Sequence, residues 1–299
     1  EIRRISDRIT ILRDGKYITT VKTGEATDKA LVELMTGRVI DQIFPTIEYE
    51  PGTTVLSVEN VTTVDRSARN VSMQFREGEI VGLAGLVGSG KSEIMRACFG
   101  LEAIKRGRLT FKGKTLTRVT PAKMLNLGMF YIPPDRRSEG LVMVRNVREN
   151  ITLAALSRNK LSTYSIFLKR NSENKMALEL SDRLNLHPMR TERRIDLFSG
   201  GNQQKALLAK VLTRKTILFV FDEPTVGVDV GTRAAIYEFV KDLCQQGAAI
   251  ALISSDLPEI LNLTNRTYVF YRGELRAELE GKEITEQNVL YHFFEQDAA

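Results

Sequence analysis

The chain has 299 residues, 42% hydrophobic and 27% charged, with 43 basic against 37 acidic residues and a formal net charge of +6. That balance suits one large or two small globular domains with a core of useful size. No apolar run approaches the ~18 residues of a membrane span, the two cysteines make neither a disulfide framework nor a four-ligand zinc site, and the mild basic excess does not single out nucleic acid.

Residues 1–37 read as a strand pair followed by a helix. Asp14-Gly15 is a tight-turn signal between Ile9–Leu12 and Lys16–Val21. Thr27 has the character of an N-cap, Leu31, Leu34 and Met35 recur at helical spacing, and Gly37 would end the helix. Arg38–Gly52 carries Pro45, Pro51 and Gly52 without a clear period and reads as a linker.

A second unit begins at Thr54. Strands are expected at Val55–Val58, Glu79–Ala84, Arg108–Lys112, Met129–Ile132, Ile217–Phe221, Ala248–Ile253 and Thr267–Phe270, with helices between them, the first at Lys91–Leu101. Such alternation predicts an α/β domain with a largely parallel sheet. Residues from about 136 to 198 give no strong strand signal and are expected to form a mostly helical insertion. The basic runs in it, Lys169-Arg170 and Arg193-Arg194, read as a solvated face. Cys98 and Cys244 fall within predicted helices, where buried free thiols are expected. His187 and His292 are isolated and read as structural or exposed.

The N-terminal segment is a copy of the end of the chain. EIRRISDRITILRDGKYI (Glu1–Ile18) aligns without a gap on EILNLTNRTYVFYRGELR (Glu259–Arg276), at a constant offset of 258. Arg8 meets Arg266, Gly15 meets Gly273, and the register continues to Thr27 on Thr285.

GLVGSGKS (Gly85–Ser92) fits G-x-x-x-x-G-K-[ST] and lies between a predicted strand and a predicted helix. Its glycines let backbone N–H groups curl around phosphate oxygens, and the helix N-terminus adds partial positive charge. Lys91 would contact the β- and γ-phosphates, and Ser92 would offer its hydroxyl to Mg²⁺. ILFVFDEP (Ile217–Pro224) is an apolar strand ending in two acids. Asp222 at its tip would hold Mg²⁺, and Glu223 would orient or deprotonate the attacking water.

LFSGGNQQK (Leu197–Lys205) narrows the reading. With the phosphate loop before it and the acidic strand about twenty residues after it, the chain resembles the nucleotide-binding domains of ABC transporters, whose signature is LSGGQ. The N-Q-Q-K variant, PTVGVDVG (Pro224–Gly231) and ISSDLPEIL (Ile253–Leu261) resemble one branch, the second ATPase domain of the tandem ATPases that power bacterial importers of simple sugars. The resemblance implies an ABC-type P-loop fold with a mostly parallel sheet, an antiparallel β portion and a helical subdomain. It implies ATP and Mg²⁺ as cofactors, with Gly85, Leu86, Val87, Gly88, Ser89, Gly90, Lys91, Ser92 and Glu93 around the nucleotide of this domain. Ser199, Gly200, Gly201, Asn202 and the D-loop residue Asp229 are then expected to meet the nucleotide of a facing domain. The implied partners are a first ABC domain of the same polypeptide, a membrane permease and, indirectly, a sugar-binding protein, but no nucleic acid. The implied location is the cytoplasmic face of the bacterial inner membrane. On this reading Glu1–Gly37 is the tail of a first domain, 38–53 a linker and 54–299 the second domain.

Three positions depart from the family pattern. The usual histidine after the strand that follows the D-loop is Ser255, which can donate a hydrogen bond but carries no positive charge. The usual glutamine at the start of the insertion falls at Pro134-Asp135, so Asp135 stands as the substitute polar contact near the metal. No aromatic residue lies between Glu59 and Ser72 to stack on adenine, which leaves Arg66 or Arg69. Two functions follow: a transport-coupled ATPase, or a nucleotide-binding regulatory domain with little turnover of its own. A soluble ABC protein acting on ribosomes or DNA is disfavoured by the short linker and the few cysteines.

Overall fold

Unbroken apolar runs fold here as strands buried on both faces, as expected of a parallel sheet between helical layers. Every residue of Ile80–Gly85, Leu218–Asp222 and Ala249–Ser254 is buried. The computed structural model describes residues 5–13, 16–36, 43–156, 162–163 and 167–293. In chain order its elements are β1 (Arg8–Arg13), β2 (Lys16–Lys22), α1 (Asp28–Thr36), β3 (Thr54–Thr63), β4 (Val71–Arg76), β5 (Ile80–Gly85), α2 (Lys91–Phe99), β6 (Ile104–Phe111), β7 (Lys114–Thr115), α3 (Pro121–Leu127) and β8 (Met129–Ile132). A π-helical turn, Arg136–Gly140, leads into α4 (Val147–Thr152), a short hairpin of β9 (Ser162–Thr163) and β10 (Phe167–Leu168), and α5 (Arg170–Arg183). The chain closes with α6 (Gly200–Leu212), β11 (Leu218–Asp222), α7 (Val230–Gln245), β12 (Ala249–Ser254), α8 (Leu257–Leu263), β13 (Arg266–Tyr271), β14 (Glu274–Glu280) and α9 (Glu286–Tyr291).

The central sheet runs β14-β13-β5-β12-β11-β8, parallel except for the β13–β14 hairpin. A second, antiparallel sheet runs β4-β3-β6-β7. One core cluster fills the space between the sheets and α2, and another lies on the opposite face under α6 and α7. The α/β expectation, with an antiparallel portion and a helical insertion, holds. Besides the two-residue β7, two strands were missed although their signal was present. In β4, buried Val71, Met73 and Phe75 alternate with exposed Ser72 and Gln74, the period of a half-covered strand. β14 pairs with the expected strand β13 across Arg272-Gly273. The insertion also holds the hairpin β9–β10, which the polar sequence around it concealed.

Of the expected linker, residues 43–53 carry no regular structure but are packed down. Ile43, Phe44, Ile47 and Tyr49 lie on the cluster under α7, and the Phe44 ring stacks on Tyr237 with centroids 4.9 Å apart. Aromatic and aliphatic side chains give this segment a reason to dock that its prolines did not advertise. Residues 37–42, including the expected helix stop Gly37, and the turn Asp14-Gly15 lie outside the described residues.

The internal repeat extends to three dimensions. Strand β1 matches β13 and β2 matches β14, end for end, at the same offset of 258. The ladder irregularity between Ile11 and Leu12 recurs between Val269 and Phe270. The Thr27 hydroxyl accepts from the Ala30 amide at 3.1 Å, as Thr285 does from Asn288 at 3.2 Å.

Arg266 pins the second copy to the sheet. It is buried, and its guanidinium bonds Glu79 at 2.5 Å, Glu278 at 2.6 Å and the Gln74 carbonyl at 2.8 Å. Glu79 also accepts from the Arg76 amide at 2.8 Å, closing the turn that launches β5 toward the site. Removing one partner of such a buried pair strands the other charge. Glu79→Ala is therefore expected to lower unfolding stability by about 3 kcal/mol, read as an earlier midpoint in urea.

Candidate functional site

The parallel strands β5, β11 and β12 end at one edge of the sheet, where loops and helix N-termini collect. Beyond β5 the chain turns through Leu86–Gly90 into α2, with Leu86 and Val87 exposed and Ser89 buried. Gly90 has φ 98°, and a Cβ there would stand 2.5 Å from the Ser67 carbonyl oxygen. Only glycine fits both the left-handed backbone and that approach. The Ser89 hydroxyl is buried and has no hydrogen-bond partner, so the loop presents an unused polar atom as well as its amides.

Lys91 opens α2 and is buried. Its ammonium donates to the Gly85 carbonyl and to Glu223 Oε1, each at 3.0 Å. Ser92 donates to Asp222 Oδ1 at 2.9 Å. Glu93 stands in the same first turn. Asp222 is fully buried at the tip of β11, and burial pushes its carboxyl up to about 6 despite hydrogen bonds from Tyr131 and Ser92. Glu223 takes a left-handed conformation, φ 48°, which is costly for a side chain with a Cβ and is often found at functional sites. That twist turns its carboxylate to Lys91 on one oxygen and to the Ser255 hydroxyl, 3.1 Å away, on the other. The structure thus brings Lys91, Ser92, Asp222, Glu223 and Ser255 into one cluster.

The residues expected to serve a facing domain form a second group. Ser199 caps α6, its hydroxyl accepting from the Asn202 amide at 3.5 Å and from the Asn202 side chain at 3.0 Å. Asn202 Oδ1 accepts from the exposed His187 amide at 3.0 Å. Gly200 and Gly201 open the helix and aim its first amides outward. Asp229 caps α7 through the Thr232 amide and hydroxyl, 2.9 and 2.8 Å away.

Two expected residues are engaged in contacts the sequence did not show. Asp135 is the N-cap of the π-helical turn, accepting from the Arg137 amide at 2.8 Å and the Ser138 hydroxyl at 2.7 Å. The Ser138 hydroxyl and the Arg137 amide hold its carboxyl below the usual range. Both oxygens take part in that cap. The Arg69 guanidinium donates to the Arg272 carbonyl at 2.6 Å and pairs with Glu274 at 3.3 Å. Arg66 is exposed at φ 62°.

Tyr131 escaped the sequence reading. It is the penultimate residue of β8, opposite Val220 of β11, and its hydroxyl donates to Asp222 Oδ2 at 2.5 Å. No motif marks it. The only signal was a tyrosine hydroxyl in a run otherwise apolar.

A family model described as ABC transporter matches residues 68–226. The ribose import ATP-binding protein RbsA of Lactococcus lactis subsp. cremoris is 39% identical over 290 residues, which are 97% of this chain and 58% of that protein. The xylose import ATP-binding protein XylG of Moorella thermoacetica is 35% identical over 297 residues, again 97% of this chain and 58% of that protein. The chain thus spans a little over half the length of these relatives. A nucleotide-free ATP-binding cassette from an ABC transporter superposes with a TM-score of 0.67 at 25% identity, covering 80% of this chain and 96% of that one. A dimeric ATP-binding cassette bound to ADP and Pi shares the fold, with a TM-score of 0.65 at 20% identity over 75% of this chain and 98% of that one.

The Tyr131 contact is testable without any ligand. Tyr131→Phe removes one hydroxyl and leaves a buried acceptor of Asp222 unpaired, an expected loss of about 1–3 kcal/mol. An unchanged urea midpoint would show that Asp222 does not depend on it.

Proposed function

The chain belongs to the ABC transporter family and carries its ATPase domain; on that premise we propose that it is one half of a tandem ATPase driving import of a simple sugar through a membrane permease. Residues 54–299 are read as the second ATP-binding domain, 38–53 as the connecting segment, and 1–37 as the C-terminal tail of a preceding domain. The offset of 258, which carries strand ends, ladder irregularity and helix cap together, supports that division. The ribose- and xylose-import names of relatives 39% and 35% identical support the sugar class. No described helix is long and apolar enough to cross a membrane; attachment to the cytoplasmic face through the permease is part of this proposal.

The single observation that carries hydrolysis is the cluster of Lys91, Ser92, Asp222, Glu223 and Ser255 beside a phosphate-type loop. In this reading the amides of Gly85–Glu93 and the Lys91 ammonium hold the terminal phosphates of ATP. Magnesium favours hard oxygen donors and keeps water and phosphate oxygens in its shell. Ser92 Oγ and Asp222 offer such a pair, and Asp222 is buried with no cation at ion-pair distance among the described residues. No group of three or more His, Cys, Asp or Glu side chains is placed to hold a metal there, so these two oxygens fit an ion shared with phosphate. Bound there, it would neutralise charge on the phosphate oxygens. Glu223 orients the attacking water and accepts its proton, and Ser255 fixes the carboxylate that does so. Ser199–Asn202 and the D-loop Pro224–Asp229 present the α6 N-terminus to nucleotide held by a facing domain.

The second reading, a regulatory domain with slow turnover, draws on the contact between Ser255 and Glu223. A neutral hydroxyl occupies the place where a cationic side chain would stabilise developing charge. Both readings are separated by one series on the full-length protein. Glu223→Gln is expected to retain ATP binding and to lose hydrolysis by about 10²–10⁴-fold. Hydrolysis absent from the unaltered protein in every assembly would favour the regulatory reading.

A further inference from the structure

We propose that Arg136 is a positioning residue that joins the D-loop to the signature turn, so that both meet a facing domain as one surface. This rests on the reading of Ser199–Asn202 and Pro224–Asp229 as the parts turned toward a second domain's nucleotide. The Arg136 guanidinium donates from Nη1 to the Val226 carbonyl at 3.0 Å and from Nη2 to the Gly227 carbonyl at 3.1 Å. Two successive D-loop carbonyls are thus held by one planar group, a geometry that a single-point ammonium cannot copy. The same guanidinium is wedged against the signature turn. A Cβ on Gly200 would lie 2.8 Å from Nη2 and 3.4 Å from the Gly227 oxygen. A side chain at position 200 would therefore displace the Arg136 guanidinium.

Arg136 rests its charge on backbone carbonyls rather than on a carboxylate. Arg136 is half-buried, makes no ion pair with a carboxylate among the described residues, and its Nε is buried without a hydrogen-bond partner. Burial holds its pKa below the usual arginine value. It also stands beside the positive end of α6.

Arg136 also begins the π-helical turn that follows β8, and that turn is fastened to α6 at both ends. Arg137 Nε reaches Gln203 at 3.3 Å, and Lys210 donates to the Gly140 carbonyl at 2.7 Å. A shift of the insertion against the sheet is therefore carried by Arg136 directly to Val226 and Gly227.

The test compares Arg136→Lys and Arg136→Gln in the full-length protein, measuring kcat, the KM for ATP and the melting temperature. Lysine keeps the charge but cannot bridge both carbonyls. Each variant is expected to lose about ten- to a hundredfold in kcat, with KM and melting temperature close to those of the unaltered protein. A lysine variant with full kcat would show that charge alone matters and would overturn the proposal. So would losses in kcat matched by falls in melting temperature and in ATP affinity, which mark a structural role. Absence of hydrolysis in the unaltered protein would overturn this proposal together with the reading beneath it, whereas an active protein indifferent to Arg136 overturns this proposal alone.

Discussion

The parallel ladder that joins β12 to β5 on one side and β11 on the other sets the separation of the charged groups. Ile253 stands opposite both Asp222 and Leu83, and Ser254 stands opposite Ala84. Parallel pairing keeps carboxyl ends together, so Gly85, Asp222 and Ser254 finish at one edge of the sheet. A slip of one residue would turn Asp222 away from Ser92 and move Ser255 off Glu223. Because all three strands are buried along their length, the ladder is dry and its register is fixed by packing on both faces.

Around that ladder, several buried polar groups meet partners from more than one element. Glu259, on α8, accepts hydroxyls from Tyr237 at 2.8 Å and Ser254 at 2.6 Å, and from Thr225 as well. It thereby ties α7, the end of β12 and the root of the D-loop. Gln204 adds a link from α6 to the Pro224 carbonyl at 2.9 Å. In the insertion, Arg148 pairs with Glu173 at 2.7 Å and Glu192 at 2.6 Å, joining α4 and α5 to the segment before α6. Among the buried polar atoms left without a hydrogen-bond partner are the Ser89 hydroxyl and Arg136 Nε, along with Asn174 Oδ1, the Ser181 hydroxyl and Arg266 Nε. Ser89 and Arg136 lie where a phosphate loop or a domain-facing turn has to respond to something outside the domain.

The repeat places the same physical unit at two points of the chain. An antiparallel hairpin with an irregular ladder, followed by a threonine-capped helix, occurs at residues 8–36 and again at 266–291. In the second copy the hairpin extends the central sheet through β13 and β5. The first copy pairs only with itself among the described strands, while α1 lies against α7. One sequence pattern thus supports two environments, because the hairpin and the cap are local while the sheet contact is not.

Much of the site was legible from the sequence because its chemistry is local. A glycine-rich turn before a helix, an apolar strand ending in Asp222-Glu223 and a Ser-Gly-Gly helix entry each need particular residues at fixed spacing, and so leave a mark in the letters. The central strands were legible for the same reason, as runs of apolar residues bounded by turns. What folding alone decided was which distant groups meet. Tyr131 on Asp222, Ser255 on Glu223 and Arg136 on the D-loop join residues 91, 32 and about 90 positions apart. Asp135 could be read only as a polar residue in a suggestive place until its turn formed and took both oxygens. Sequence specifies the groups, since conformational freedom and polarity belong to single residues; the sheet register and the close approach of loops select the pairs, since they depend on packing across the whole domain.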